Sequence, residues 1–173
     1  TMDRLGVYIH IPFCARKCPY CDFYSTKYNK ETVSSYVDSL IRNFRAFSLE
    51  NGKKKIASVY FGGGTPILLS PAQFDLLLSS LAECFSFSED IEITTEANPS
   101  MSDKNKFSEY RKTGLNRISF GVQSFIETEL HSLQRTHTSS GAIRAIENAY
   151  SAAPIFKRRA RGLKVALLLV ITG

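Results

Sequence analysis

Cys14, Cys18 and Cys21 stand in the spacing C-x3-C-x2-C. Thiols this close together in a cytosolic chain argue for metal, because disulfides are disfavoured in reducing compartments. A structural zinc site normally takes four ligands. His10 or Cys84 would have to supply the fourth, and neither is well placed: His10 lies along an extended run and Cys84 ends an apolar helical face. Three thiolates suit instead a [4Fe–4S] cluster with one iron left open. A small ligand can chelate that iron through an amine and a carboxylate, poised for one-electron chemistry. Zinc or buried thiols remain the competing readings. Further chemistry-bearing groups are Gly62-Gly63-Gly64-Thr65-Pro66, Glu96 with Asn98, and Gln123. Taken singly, each has an ordinary alternative: a tight turn for the glycines, a capping or solvated acid for Glu96, and a surface amide for Gln123.

The elements that would carry these residues alternate between strand and helix. Strand patterns are expected at Gly6–Ile11, Ile56–Phe61, Ile91–Thr95 and Asn116–Val122. Between the first two, Val33, Tyr36, Val37, Leu40, Ile41 and Phe44 form one face of a helix over Lys30–Phe47. Ser70, Pro71 and Gln73 read as N-cap, first helical residue and capping-box partner of the next helix. A short helix is expected from Asp103, capped by Ser102 and stopped by Gly114, and two more over Ile126–Leu133 and Gly141–Tyr150. Four strand–helix units of this kind predict an α/β fold with a parallel sheet and crossover helices, an incomplete (β/α) barrel. The chemistry-bearing groups all fall at or just beyond strand C-terminal ends, the rim on which such folds build their sites.

Composition excludes several other classes. The chain has 173 residues, 43% of them hydrophobic, enough for one packed core. No apolar run approaches the ~18 residues of a transmembrane segment, and no signal peptide is visible, so a cytoplasmic location is expected. The longest apolar run, Val165–Ile171, suits a buried strand or a short helix. The net charge is +6, but Lys157, Arg158, Arg159, Arg161 and Lys164 follow Glu147 without any acid, leaving 17 basic and 16 acidic residues before them. The body is thus nearly neutral, and no nucleic-acid partner is expected. Cys84 is expected to be a small core residue.

The motif Tyr8-x-His10-Ile11-Pro12-Phe13-Cys14, the cysteine loop with Tyr20, and the glycine loop together resemble radical S-adenosylmethionine (SAM) enzymes. More narrowly, they are similar to the family of oxygen-independent coproporphyrinogen III oxidase and its haem-chaperone, HemW-like branch. Thr95-Glu96-Ala97-Asn98-Pro99, Arg117 to Ser124 and Arg135-Thr136-His137-Thr138 extend the resemblance over about residues 6–150. It implies that Cys14, Cys18 and Cys21 bind three irons and that SAM takes the fourth. The amides of Gly63 and Gly64, with the Thr65 hydroxyl, would meet the amino-acid end of SAM. Glu96 would accept hydrogen bonds from its ribose, while Tyr8, Tyr20, Gln123 and Arg135 would contact SAM elsewhere. Reductive cleavage of the sulfonium would then yield a 5′-deoxyadenosyl radical.

The branch is indicated by Cys21-Asp22-Phe23, which stands where true oxidases carry C-x-C. The resemblance therefore implies a haem chaperone that binds haem or porphyrin and serves a haem-acceptor protein with the help of an electron donor. Coproporphyrinogen oxidase activity is the alternative, and a non-functional fragment the third. Gln134 also departs from the family, which often has Gly before the Arg-x-His-Thr segment. Residues 6–152 are read as the N-terminal part of the radical SAM core and 153–173 as an atypical tail. The Asp that contacts SAM from the family's fifth strand, the family's remaining barrel strands and its C-terminal domain are all expected to be missing, since no acid follows Glu147. Such a loss would leave the sheet with an exposed edge.

Overall fold

The computed structural model describes residues 4–101, 103–152 and 164–169. In chain order these form β1 (Arg4–Ile11), β2 (Phe13–Cys14), β3 (Thr26–Lys27), α1 (Lys30–Asn51), β4 (Lys55–Gly63), a 3-10 turn (Pro66–Leu68), α2 (Pro71–Cys84), β5 (Ser86–Ala97), α3 (Lys104–Lys112), β6 (Arg117–Gln123), α4 (Glu127–Ser132), α5 (Ser139–Ser151) and β7 (Lys164–Leu169). Five strands make one parallel sheet in the order β1-β4-β5-β6-β7, and β2 pairs with β3 in a separate small sheet. Sequential order in a parallel sheet requires crossovers of one hand, which places the helices on one face. There α1, α2, α3 and α5 pack side by side.

Strand alternation sorts the two faces. Ile9, Ile11, Val59, Phe61, Ile93, Ile118, Phe120 and Val122 are buried in the hydrophobic core with Val33, Val37, Phe74, Leu77, Leu81 and Phe107 of the helices. The intervening residues are largely polar, and Tyr8, Tyr60, Thr94 and Arg117 lie in register across four strands. Arg117 pairs with Glu92 at 3.6 Å on that face. A single layer of helices thus covers the apolar face, and the polar face is left to build a site.

Local signals hold where their chemistry is self-contained. Ser70 Oγ accepts from the Gln73 amide at 3.2 Å, and the Gln73 side chain returns the bond to the Ser70 amide at 2.8 Å, completing the expected capping box. Gly114 takes φ 105° beyond α3, as expected of a helix stop. The cap of α3 differs from expectation. Asp103 is the N-cap, its carboxylate accepting from the Asn105 amide at 2.8 Å; Ser102, expected in that role, lies outside the described residues.

Two strands differ from the sequence reading. β5 begins at Ser86, because Ser86 and Phe87 pair with Lys55 and Ile56 before the register jumps to Ser58 opposite Glu92. The polar Ser88, Glu89 and Asp90 fall in that irregularity and hide the strand from a periodicity argument. A fifth sheet strand, β7, follows the four expected. It runs beside β6 from Arg117↔Lys164 to Gln123↔Leu169, so the apolar run adopts the strand alternative. Motif resemblance ends before it, whereas pairing needs only an extended segment alongside an open edge. The basic residues 157–161 lie outside the described residues.

Candidate functional site

A cavity of about 560 Å³ opens at the C-terminal ends of the strands, within the range of small-molecule sites. Cys14, Cys18, Cys21, Tyr20, Gly63, Gly64, Thr65, Glu96, Gln123 and Arg135 all line it. Ten of the eleven residues singled out in the sequence therefore converge on one place, although they span 122 positions from Cys14 to Arg135. Tyr8 does not line the cavity. Its ring stacks on Tyr60 at 6.1 Å and 20°, and its hydroxyl meets His10 Nδ1 at 3.1 Å. Burial and the nearby Glu96 carboxylate raise its pKa.

The cysteine loop is pinned at its start by main-chain bonds. Thr26 N–H donates to the Pro12 carbonyl (2.6 Å) and Tyr28 N–H to that of Cys14 (2.9 Å), which forms the β2–β3 sheet. The glycine loop lies directly against this segment: Gly64 N–H donates to the Ile11 carbonyl (2.9 Å) and Thr65 N–H to that of Phe13 (2.7 Å). A Cβ on Gly64 would stand 2.6 Å from the Phe13 carbonyl oxygen. Glycine is needed there so that two stretches of backbone can meet.

Gly63, Gly64 and Thr65, expected to meet the amino-acid end of SAM, line the cavity with their amides on protein partners. Gly63 N–H is also engaged, by Glu96 Oε2 at 3.1 Å. All three amides are thus held by protein acceptors, and the Thr65 hydroxyl points to Cys14 Sγ at 3.7 Å. The loop serves the site by fixing Glu96 and the cysteine segment.

All four cysteines are free thiols, three of them partly exposed and Cys84 buried. The zinc alternative finds no support, since both nitrogens of His10 are engaged, Nδ1 by Tyr8 and Nε2 by donation to the Tyr24 carbonyl at 3.0 Å. Among the described residues no group of three or more His, Cys, Asp or Glu is gathered around one ion position. Thiolates that each take a separate iron need no such common point.

Arg135 closes the cavity from the far end of the chain. It donates to the Gly121 carbonyl (2.7 Å), the Tyr20 hydroxyl (3.2 Å) and Cys18 Sγ (3.5 Å). Burial raises the Tyr20 pKa, with Arg135 opposing the shift. The neighbouring Gln134 takes φ 50° and accepts from Arg16 at 3.0 Å, joining this segment to the cysteine loop. That left-handed conformation is one glycine adopts freely, which accounts for Gly at this point in the family pattern.

Gln123 is buried rather than a surface amide. It sits at φ 71° in a γ-turn closed by Ser124 N–H to the Val122 carbonyl, a strained geometry for a residue with a side chain. Buried Gln123 Oε1 and Arg135 Nε have no hydrogen-bond partner among the described residues. An acceptor and a charged donor left open in one cavity wall fit a ligand carrying both hydroxyl or amine protons and a carboxylate, and SAM has these groups. His137 is structural: Nε2 bonds the Val122 carbonyl at 3.0 Å, and burial, aided by Arg135, lowers its pKa.

Tyr60 escaped the sequence reading. Its hydroxyl donates to Glu96 Oε1 at 2.8 Å, and burial together with that carboxylate pushes its pKa up to about 12. Strand alternation with Gly62 carries the only signal for it: both residues share the polar face.

A parallel β/α sheet with a three-cysteine loop at the rim defines a class, and the comparisons agree with it. Residues 8–157 match the Radical SAM superfamily, and the chain belongs to that superfamily. Membership implies a [4Fe–4S] cluster and SAM as general equipment, and the cysteines and open polar groups fit both. The chain is similar to the Heme chaperone HemW of Escherichia coli (strain K12), 40% identical over 149 residues that make up 86% of this chain and 39% of that protein. The mitochondrial Radical S-adenosyl methionine domain-containing protein 1 of Mus musculus is 35% identical over 148 residues, 84% of this chain and 33% of that one. Among solved structures, coproporphyrinogen III oxidase (HemN) from Escherichia coli superposes with a TM-score of 0.82 at 25% identity, over 98% of this chain and 38% of its own. The chain spans about two fifths of the length of the curated HemW relatives.

Proposed function

We propose that this chain is the cluster- and SAM-binding part of a cytoplasmic haem chaperone. The carrying observation is the convergence of Cys14, Cys18, Cys21, Glu96, Gln123 and Arg135 on one cavity, in a chain whose relatives include proteins named HemW. Cys14, Cys18 and Cys21 would hold the cluster, and Gln123, Arg135, Tyr20 and Glu96 would hold SAM. Bound together, the two groups supply one-electron cleavage of a sulfonium bond. The chain's own part is positional. Arg135 bridges the cysteine loop and the end of β6, Tyr60 and Gly63 fix both oxygens of Glu96, and the γ-turn presents Gln123.

Haem or porphyrin is the proposed cargo, with a haem-acceptor protein and an electron donor as partners. Cys21-Asp22-Phe23 favours this over oxidation of coproporphyrinogen: Phe23 lines the cavity where a further thiol would be required. The likeness to coproporphyrinogen III oxidase supports the oxidase as second reading. Anaerobic titration with haem, alongside turnover assays with coproporphyrinogen, SAM and a reductant, separates the two. Stoichiometric haem binding without turnover is the expected result; decarboxylated product would favour the oxidase.

A further inference from the structure

Among the described residues, Glu96 is the carboxylate of the cavity wall whose two oxygens are both held by the protein. Gly63 N–H fixes Oε2 from the glycine loop, and the Tyr60 hydroxyl fixes Oε1 from the middle of β4. Tyr60 is half-buried and does not line the cavity, so its effect on a ligand there runs through Glu96. Its own ring is set by packing. It stacks on Tyr8, and a Cβ on Gly62 would come within 2.8 Å of the Tyr60 ring and 3.0 Å of the Tyr8 ring. Tyr8 in turn meets His10, which donates to the Tyr24 carbonyl just beyond the cysteine loop.

We infer that Tyr60 is the positioning residue of the site, locking the Glu96 carboxylate in the one orientation that leaves its outer lone pairs for the hydroxyls of a bound ribose. The inference rests on the reading of Glu96 as the acid that holds SAM. With only Gly63 left, the carboxylate is tethered at one oxygen and can turn about its last torsion, a broad and soft one. Every ligand bond to it must then first order that rotation. The Tyr60–Glu96 contact also ties the ligand-binding acid, through stacked rings and His10, to the segment that carries the cluster thiols.

A double-mutant cycle on the anaerobically reconstituted chain tests this, with SAM affinity read by calorimetry. Tyr60→Phe keeps the ring and its stack and removes only the hydroxyl. It is expected to weaken SAM binding about tenfold, in line with loss of one hydrogen bond to a charged group. In a Glu96→Ala background the same substitution is expected to change affinity by less than about twofold, since coupled residues are non-additive. Iron content and melting temperature report whether the Phe variant is intact. Where its cluster loading is only partial, the ratio of the Tyr60→Phe chain's affinities for SAM and for a 2′,3′-dideoxyribose analogue, which does not depend on the loaded fraction, supplies the second measurement, and that preference should shrink. An unchanged affinity in Tyr60→Phe, an equal loss in both backgrounds, or an undiminished preference overturns the assignment. If Glu96→Ala alone binds SAM like the parent chain, the reading of Glu96 itself fails, and the positioning role falls with it.

Discussion

Gly64 is the residue whose replacement best separates packing from ligand contact. Its amide is committed to Ile11 and its missing side chain leaves room for the Phe13 main chain. Gly64→Ala must push the segment leading into Cys14 outward, at a cost of about 1–3 kcal/mol typical of overpacking. The expected outcome is a chain with unchanged circular dichroism that incorporates less iron on reconstitution. Unchanged iron content would show that the glycine loop does not set the cysteine loop. The cysteine motif itself was legible, because ligand spacing is local and its chemistry is specific. The orientation of the glycine amides was not. Whether an N–H faces a ligand or a neighbouring carbonyl depends on segments far apart in sequence, as Gly64 and Ile11, 53 positions apart, illustrate. Arg135 is a similar case, since its donation to Cys18 exists only once the sheet has brought the two together.

Where helices carry their own caps and apolar stripes, the fold could be read directly. The Ser70–Gln73 box and the Val33–Val37–Ile41 face of α1 are examples. Strand pairing depends on partners distant in sequence, so the early start of β5 and the β2–β3 sheet were not foreseen, and β7 was read only as one of two alternatives for its apolar run. Asn116 shows how a loop residue sets such pairing. Its side-chain oxygen accepts from the Ile93 amide and its nitrogen donates to the Ile91 carbonyl, both at 2.8 Å, while its own amide donates to the Ile93 carbonyl at 3.0 Å. It therefore aligns the start of β6 with β5, immediately after the register shift. Asn116→Ala removes two of these bonds. It is expected to cost about 2 kcal/mol, lowering the melting temperature by about 4–8 °C for a chain of this size. Differential scanning calorimetry measures it; a melt unchanged within error would mean that the register is fixed elsewhere.

The whole molecule is an open sheet with one face sealed by helices and the other polar, its cavity at the strand ends. No helix among the described residues is long and apolar enough to cross a membrane. The residues lining the cavity come from three of the five sheet strands, β4, β5 and β6, and from the segments that follow β2, β4, β5 and α4, so the site is a property of the assembled sheet. β7 lines up beside Gly121 and Gln123 of β6. On the proposed function, this assembled rim holds a SAM-responsive iron–sulfur cluster on three thiolates. Anaerobic reconstitution with iron and sulfide, followed by electron paramagnetic resonance of the reduced chain with and without SAM, tests it most directly. Iron and sulfide in the ratio of a [4Fe–4S] cluster, a spectrum that changes when SAM is added, and loss of both in Cys14→Ala are the predicted results. The same SAM-responsive cluster in Cys14→Ala, or no cluster in the parent chain, would contradict the account.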